Sequence, residues 1–378
     1  MANANSYLIS VLKSRMSPQS RALLKFVYNV VTKPNRIAAH INKVQYTREA
    51  LHKPEIGFVP PVFIATITDE CNLRCPNCLF ILNPDNKFFT NFITPEKFRD
   101  VLQRHNPNKK AETIFLTGGE PLMHPQLREV IDICKEYKFE VKISTNGMLV
   151  RKQISLLREV DYVNVSMDSY DAETFGKYRG GTAKQFDVII EGLKALRENG
   201  VYFSTSFVLS AENIHEADRM LAFAERVRPH LVIFHNINPH GSPDFNSLNV
   251  RDQKTREWLN RMFERSDYPF DVSLPAVFDS GSPAFAETKC IQPWLYFSFN
   301  SVGDMSLCCH LEHDAKYGNA FRDKDFNSPE VVQFRADIIK GELSTPLMRR
   351  SCLYCHRRFM TEEAGTFDSR NGKWFIHR

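Results

Sequence analysis

The sequence lacks any apolar stretch of about 20 uncharged residues, which excludes a membrane-spanning helix. Its amino terminus lacks the apolar core and small-residue cleavage site of a secretory signal, and this predicts a cytoplasmic protein. No charge of one sign dominates, because 49 lysines and arginines stand against 44 aspartates and glutamates. A net charge of +5 gives no argument for nucleic acid binding, and we expect no nucleic acid partner.

Acidic residues are missing from the first 48 positions, although eight basic residues occur there. Apolar residues lie among these basic ones, which predicts helical segments over residues 7–48 of a basic extension that spans residues 1–58. Two interpretations stay open. The extension packs on the main domain, or residues 1–48 form an amphipathic surface that contacts an anionic membrane. The second interpretation would make this cytoplasmic protein membrane-associated.

From residue 59 the chain alternates six β-rich runs with amphipathic stretches. This order predicts an α/β fold with parallel strands and right-handed crossovers, in which residues 59–236 form a partial (β/α)6 barrel. We expect active residues at the carboxyl ends of the strands. The predicted strands are Val62–Thr66, Thr113–Leu116, Glu140–Ser144, Tyr162–Met167, Tyr202–Leu209 and Leu231–His235, and the predicted helices cover residues 94–104, 125–137, 151–158, 183–198 and 213–226.

The alternation then stops. Residues 237–285 are rich in proline, asparagine, serine and aspartate, which predicts a linker with one helix near 250–265. Residues 286–378 are predicted to form a small cysteine-rich α+β domain. Within it, Gly303 and Asp304 predict the turn of a β-hairpin.

Cysteines of a cytoplasmic protein are more often metal ligands or catalytic groups than partners in disulfides. Three of the nine cysteines, Cys71, Cys75 and Cys78, fall within eight residues after the first predicted strand. Thiolates this close can hold an iron–sulfur cluster, and the missing fourth ligand would leave one iron of a four-iron cluster open. The alternative is a structural zinc site completed by a distant residue. The isolated Cys134 is expected in the core.

The spacing Cys-x-x-x-Cys-x-x-Cys after a first strand resembles the signature of the radical S-adenosylmethionine (SAM) superfamily. Gly-Gly-Glu-Pro at 118–121 resembles its glycine-rich motif, and the resemblance covers about residues 60–236. It implies a SAM-binding [4Fe–4S] cluster and a Glu120 side chain paired with the SAM ammonium. Where the family commonly has an aromatic residue before the third cysteine, this chain has Asn77. The implied cofactor-binding residues are Gly118, Gly119, Glu120, Pro121, Asn146, Ser166, Arg179 and Leu209.

The same resemblance implies a reaction. SAM is cleaved reductively to methionine and a 5′-deoxyadenosyl radical, which abstracts a hydrogen atom from the substrate. Ser166 would hydrogen-bond SAM, Arg179 would bind its carboxylate and Leu209 would line the adenine. A reducing protein such as flavodoxin or ferredoxin would supply the electron.

A second group of cysteines follows in the carboxyl-terminal region: Cys290, Cys308, Cys352 and Cys355. A hairpin with one pair and a Cys-x-x-Cys loop with the other can place four thiolates around one centre, either zinc or a cluster. Beside the first motif, the pattern resembles the auxiliary-cluster domain called SPASM in its shortened twitch form. It implies a second, auxiliary [4Fe–4S] cluster without an open iron. Adjacent side chains of an extended segment point to opposite faces, and the spacing favours Cys308 over Cys309 as the ligand.

The leading functional expectation is a radical SAM oxidoreductase that oxidises or modifies a small polar or sugar-like metabolite. The first alternative is a peptide-modifying maturase, although the amino-terminal extension is too short for the winged-helix domain that such enzymes often carry. The basic extension motivates a second alternative, an enzyme of membrane lipids. A zinc-bound scaffold is the non-enzymatic alternative. The sequence assigns no catalytic acid or base.

Overall fold

A computed structural model gives the fold of most of the chain. The described residues are 36–78, 91–237, 248–249, 251–275, 277, 290–308, 317–323, 326–345, 348, 352, 365–370 and 372–376. The helical segments predicted before residue 36 lie outside this part of the chain, and so do Cys309 and Cys355.

One sheet of eleven strands is the framework of the molecule. Its strands are β1 (Val62–Thr68), β2 (Thr113–Gly118), β3 (Glu140–Thr145), β4 (Tyr162–Ser166), β5 (Phe203–Leu209), β6 (Leu231–Asn236), β7 (Asp271–Leu274), β8 (Tyr296–Phe299), β9 (Met305–Ser306), β10 (Gly365–Asp368) and β11 (Lys373–Ile376). They lie in the order β11-β10-β7-β6-β5-β4-β3-β2-β1-β8-β9. Strands β1 to β7 pair in parallel in chain order, and β8 pairs in parallel with β1.

Helices connect the parallel strands. The described α-helices are α1 (Ile37–Glu49), α2 (Pro95–His105), α3 (Leu127–Glu136), α4 (Ile154–Leu157), α5 (Ala172–Arg179), α6 (Ala183–Glu198), α7 (Ala217–Val227), α8 (Gln253–Glu264), α9 (Gln292–Leu295) and α10 (Pro329–Lys340). Apolar residues at helical spacing, such as Phe98, Val101 and Leu102 of α2, are fully buried in the main core. The hydrophobic faces of helices and sheet thus form one core, as the α/β pattern predicts.

The local sequence explains where helices α5 and α6 begin. The Asp171 side chain accepts from the Thr174 N–H in a capping box before α5, which ends at Gly180 in the left-handed conformation (φ 65°). Thr182 and Gln185 form a second capping box before α6. These side chains satisfy amide groups that a helix start leaves without partners. The short turn between α5 and α6, which carries Gly180, therefore has a fixed course.

The predicted α/β fold with a partial barrel is confirmed, and all six predicted strands end within two residues of the observed bounds. The sheet is larger than predicted, because β7 lies in the expected linker and joins the parallel strands. A strand of four residues is too short to show a recognisable alternation of apolar and polar residues. The predicted hairpin is the antiparallel pair β8–β9, and Gly303 in its turn has φ 88°.

Carboxyl-terminal strands add to both edges of the sheet. The antiparallel pair β10–β11 extends it beside β7, and β8 extends it beside β1. Barrel and carboxyl-terminal region therefore share one sheet. The boundaries predicted at residues 58, 236 and 285 stay predictions.

A second, smaller core holds the carboxyl-terminal region together. It includes the fully buried Trp294, together with Phe334 and Ile338 of α10. The Arg335 side chain is also buried, at 1% exposure, and its Nε donates to Pro293 O at 3.0 Å. A buried guanidinium of this kind ties backbone segments together through their carbonyl groups.

Helix α1 packs at the amino ends of the strands, opposite the cysteines. Arg36 Nη1 lies 2.8 Å from Glu140 Oε1, and Lys43 Nζ lies 2.7 Å from Glu112 Oε2. This part of the basic extension contacts the barrel, whereas the membrane contact of residues 1–48 stays a prediction. In the part of the chain that the structure describes, no helix is both long enough and apolar enough to cross a bilayer.

Candidate active site

The first cysteine cluster lies on the loop that follows β1, at the carboxyl end of the sheet. Cys71, Cys75 and Cys78 are half-buried, and Cys71 and Cys75 pack against the main core. Burial raises the pKa of Cys75 to about 11 and also raises the pKa of Cys71, and neighbouring thiols add to both shifts. Such thiols become thiolates when a metal compensates their charge, so the donor set fits an iron–sulfur cluster.

The loop after β2 packs directly against this cysteine loop. Gly119 N donates to Thr68 O at 2.8 Å, and Glu120 N donates to Glu70 O at 2.7 Å. A Cβ atom at Gly118 would lie 2.3 Å from Thr68 O, and one at Gly119 would lie 2.3 Å from Glu70 O. Only glycine permits so close an approach, so both glycines are required by the contact between the two loops.

The Glu120 carboxylate is completely buried, at 0% exposure. Its Oε1 accepts from Leu122 N at 3.0 Å and from Thr145 Oγ1 at 2.7 Å, and its Oε2 accepts from Asn146 N at 2.7 Å. Burial raises the pKa of Glu120, while these donors and the charge of Arg179 act in the opposite direction. The carboxylate fixes the loop after β3, and its pairing with the SAM ammonium stays a prediction.

Asn146 joins that loop to the cysteines. Its Nδ2 donates to Asn72 Oδ1 at 2.7 Å and lies 3.7 Å from Cys71 Sγ. The predicted cofactor-binding residue thus contacts the cysteine loop itself. Asn72 and Thr145 received no role from the sequence. Both adjoin predicted residues, but only the fold shows their hydrogen bonds.

Arg179 and Asp168 form an ion pair on the same rim. Arg179 Nη1 lies 2.9 Å from Asp168 Oδ2, and the two side chains are only 14% and 16% exposed. Asp168 Oδ1 accepts from Val208 N at 2.8 Å, and this contact joins the carboxyl ends of β4 and β5. Arg179 Nε is buried without a hydrogen-bond partner among the described residues. A buried donor of this kind indicates a missing acceptor, such as a carboxylate.

Two further predicted residues end the neighbouring strands. Ser166 is the last residue of β4 and is half-buried, whereas Leu209 is the last residue of β5 and is fully buried. Pro121 begins a short 3-10 helix behind Glu120 and is buried. All eight predicted cofactor-binding residues thus lie on or directly after the carboxyl ends of β2 to β5, or on α5 beside them.

The second cysteine group comes from three separate segments. Cys290, Cys308 and Cys352 all pack against the second core. Cys308 N donates to Ser306 Oγ at 3.3 Å, which fixes the end of the hairpin. Cys355, the fourth predicted ligand, lies outside the described residues. Three of the four predicted ligands thus border the same small core, and their assembly around an auxiliary cluster stays a prediction.

Among the described residues, the cysteines do not converge on a single-ion site. The described residues contain no group of three or more histidine, cysteine or acidic side chains that could hold one metal ion, and none of their cysteines forms a disulfide. In a four-iron cluster each thiolate binds a different iron, so the sulfur atoms stand farther apart than the ligands of one ion.

Comparison with known proteins identifies the class. Residues 65–224 match the Radical SAM superfamily. Curated relatives include the Fe-coproporphyrin III synthase of Methanosarcina barkeri, 26% identical over 62% of this chain and 58% of that protein. The antilisterial bacteriocin subtilosin biosynthesis protein AlbA of Bacillus subtilis is 23% identical over 70% of this chain and 59% of that protein. The chain spans about three fifths of the length of these two relatives.

Among solved structures, Streptococcus suis SuiB bound to the precursor peptide SuiA has a similar fold, with a TM-score of 0.61, 15% identity and coverage of 85% of this chain and 74% of that chain. Residues 65–224 thus form a radical SAM domain. Radical SAM domains use a [4Fe–4S] cluster and SAM, and the cysteine loop after β1 lies inside the matched region.

Proposed function

We propose that this radical SAM enzyme modifies a peptide. The observation that carries the proposal is the relationship to the subtilosin biosynthesis protein, which covers 70% of the chain and so extends beyond the radical SAM domain. The likeness to SuiB with its precursor peptide supports it at the level of the fold, because it covers 85% of the chain. The peptide-modifying alternative thus has more support than the small metabolite expected from the sequence.

For the first cluster, we propose Cys71, Cys75 and Cys78 as ligands. When bound, the cluster and SAM supply a 5′-deoxyadenosyl radical that removes a hydrogen atom from the substrate. Arg179 would donate its buried Nε to the SAM carboxylate, while Asp168 holds the guanidinium at 2.9 Å. The remaining proposed SAM contacts are Gly118, Gly119, Glu120, Pro121, Asn146, Ser166 and Leu209.

For the auxiliary cluster, we propose Cys290, Cys308, Cys352 and Cys355, within a cluster domain of residues 286–378. Four thiolates would leave no iron open, so this cluster would transfer electrons or support the structure. Radical SAM enzymes need a reductant, and a flavodoxin or ferredoxin would supply the electron to the first cluster.

One observation favours a second candidate, a carboxylate-bearing small molecule. The Fe-coproporphyrin III synthase of Methanosarcina barkeri is 26% identical to this chain over 243 residues. Its match covers 62% of the chain, compared with 70% for the subtilosin protein.

The experiment that separates the two is measurement of 5′-deoxyadenosine in anaerobic reactions of reconstituted protein, SAM and a chemical reductant. We expect a candidate precursor peptide, encoded next to the enzyme or synthesised, to raise the rate above that of uncoupled cleavage and to change mass during the reaction. Iron-coordinated tetrapyrrole in place of the peptide is the comparison. Stimulation by the tetrapyrrole and by none of the peptides would contradict a peptide substrate.

A further inference from the structure

The two faces of the barrel sheet carry different residues. The helix side of β3 and β4 carries the apolar, fully buried residues Val141, Ile143, Val163 and Val165. The residues between them point to the opposite, inner face. That face is half-buried and mostly polar, and it includes Thr117, Lys142, Ser144, Tyr162, Asn164 and Ser166. The inner face is therefore reachable from solvent and suited to a polar ligand.

Lys142 carries a positive charge on this face. Across strands β1 to β7, it is the only lysine or arginine. Its Nζ lies 5.2 Å from the centre of the Phe115 ring and 5.8 Å from the centre of the Tyr162 ring. In the register of the sheet, Phe115 of β2 and Tyr162 of β4 stand directly beside Lys142 of β3. The two rings hold the ammonium in place by cation–π attraction.

Within the described residues, Lys142 has no acidic partner, whereas several more exposed lysines do. Lys135 Nζ lies 2.8 Å from Glu159 Oε2, and Lys194 Nζ lies 2.6 Å from Glu191 Oε1. A half-buried cation without a counter-charge loses part of its favourable hydration free energy, whereas a lysine on the surface retains it. An anion that enters the barrel would restore this lost solvation.

Hydroxyl groups without partners support a ligand at the same face. Thr66 Oγ1 of β1 and Ser273 Oγ of β7 are buried and have no hydrogen-bond partner among the described residues. Thr66 pairs with Thr117 in the register of the sheet, one row above Phe115 and Lys142. Buried polar groups without partners usually indicate a missing ligand or water.

The distance from Lys142 to the cysteine loop sets a minimum length for the substrate. Lys142 lies four residues before Asn146, so its backbone stands about 13 Å below the cysteine rim. A substrate that reaches both levels must extend through the barrel. A single ammonium carries one positive charge, which matches a carboxylate; a phosphate would be expected to recruit further cations, and β1 to β7 offer none.

We propose that Lys142 binds a carboxylate of the substrate at the base of the barrel, while the reacting carbon lies at the cysteine rim. The proposal rests on the proposed function and narrows its substrate class to a peptide with a carboxylate about 13 Å or less from the modified residue. Two sources share this chemistry, an acidic side chain and the carboxyl terminus of the peptide.

The test compares binding to the full chain, reconstituted anaerobically and loaded with SAM. The small probes are glutarate and its neutral analogue glutaramide. The peptide probes share one sequence: a peptide with blocked ends and one glutamate, its glutamine analogue with blocked ends, and that glutamine analogue with an unblocked carboxyl terminus. The proteins are wild type, Lys142→Met and Lys142→Arg. The matched control is Lys194→Met, because Lys194 is a 56% exposed lysine on the outer helix α6. Calorimetry measures each dissociation constant.

We expect at least one carboxylate probe to bind wild type about tenfold more tightly than its neutral analogue. The preference should fall below about twofold in Lys142→Met, and it should persist in Lys142→Arg and Lys194→Met. The peptide that shows the preference identifies its source. A preference that survives in Lys142→Met, or wild-type protein that prefers no carboxylate probe, would overturn the proposal. Unchanged iron content and SAM affinity verify that the variants fold, and Lys142→Gln replaces Lys142→Met if they do not.

Failure of this inference and failure of the proposed function give different results. A Lys142-dependent preference for glutarate with none among the peptides would uphold the carboxylate site and contradict a peptide substrate. Peptide-stimulated SAM cleavage without any carboxylate preference would uphold the function and contradict the role of Lys142.

Discussion

The two cysteine regions are built in different ways. The first lies within eight residues of one loop, and neighbouring loops fix it by backbone hydrogen bonds such as Gly119 N to Thr68 O. The second draws Cys290, Cys308 and Cys352 from three segments that all pack against a small core. Backbone hydrogen bonds between neighbouring loops thus fix the first site, while the described cysteines of the second pack on the side chains of that core. We infer that the first loop keeps its shape without a cluster, whereas the second region depends on its cluster for stability.

The largest expected effect separates the two regions by reaction. Replacing Cys71, Cys75 and Cys78 together by alanine should abolish 5′-deoxyadenosine formation, because the proposed ligands of the SAM-binding cluster are lost. Iron analysis should still find about four of the roughly eight irons expected for two clusters. Chromatography of the anaerobic reaction measures the nucleoside. Reductive SAM cleavage by the triple variant would contradict the assignment of the first site.

The second effect concerns iron in the auxiliary region. Cys308→Ala should lower the iron content from about eight toward four per chain, because the proposed four-thiolate cluster would lose one ligand. Cys309→Ala serves as the matched control and should leave the content near eight. The reverse result, in which Cys309→Ala loses iron and Cys308→Ala keeps it, would move the ligand by one residue.

The third effect tests whether packing holds the second region. Arg335 Nη1 donates to Phe326 O at 2.9 Å and its Nε donates to Pro293 O at 3.0 Å. Arg335→Met should leave these buried carbonyls without donors and lower the free energy of unfolding of that region by about 3 kcal/mol. Urea titration measures this change when cluster absorbance is followed. The absorbance of the auxiliary cluster should be lost at a lower urea concentration than that of the first cluster. Arg370→Met is the control, since Arg370 is 82% exposed. An equal loss of unfolding free energy in both variants would argue against a stabilising role for the Arg335 hydrogen bonds.

Particular elements show what could be predicted from sequence. The six barrel strands and the Gly303 turn follow from local patterns of two to eight residues, so periodicity and turn chemistry suffice. The strand β7 has only four residues and pairs with β6 and β10, and no local pattern records these pairings. For the site, the cysteines and Gly118–Glu120 are contiguous motifs. The contact from Asn146 to Asn72 joins residues 74 positions apart, so it depends on the parallel pairing of the strands.

The fourth effect distinguishes two roles for Glu120. Loss of a charge-assisted contact with the SAM ammonium would weaken SAM binding about 10- to 150-fold in Glu120→Gln. The structure gives a second route, because an amide cannot accept from Thr145 Oγ1, Leu122 N and Asn146 N as the carboxylate does. Thr145→Val is the control that removes a hydrogen-bond donor and keeps the charge. Calorimetry measures SAM affinity. Equal weakening in both variants would assign Glu120 to loop positioning, and unchanged affinity in both would contradict either role.

The smallest effect concerns the contact between helix α2 of the barrel and the carboxyl-terminal residues Phe297 and Ala320. The buried His105 of α2 contacts Ala320 O through Nε2 at 3.1 Å and packs on Phe297 of β8. Burial lowers its pKa to about 4, although the contact with Ala320 acts in the opposite direction. Because the folded-state pKa lies below the ordinary value of about 6.5, the neutral form stabilises the fold above pH 6.5, and this contribution is lost as the pH falls toward 4.

Between pH 7 and pH 5.5 the loss should be about 1 kcal/mol in wild type. The variant His105→Gln does not titrate in this range, so its free energy of unfolding should lack that decrease. Urea titrations of the cluster-loaded protein at the two pH values measure the difference. If both proteins lose the same free energy of unfolding, groups other than His105 cause the pH dependence. The contact of His105 with Ala320 and Phe297 would then not link stability to pH.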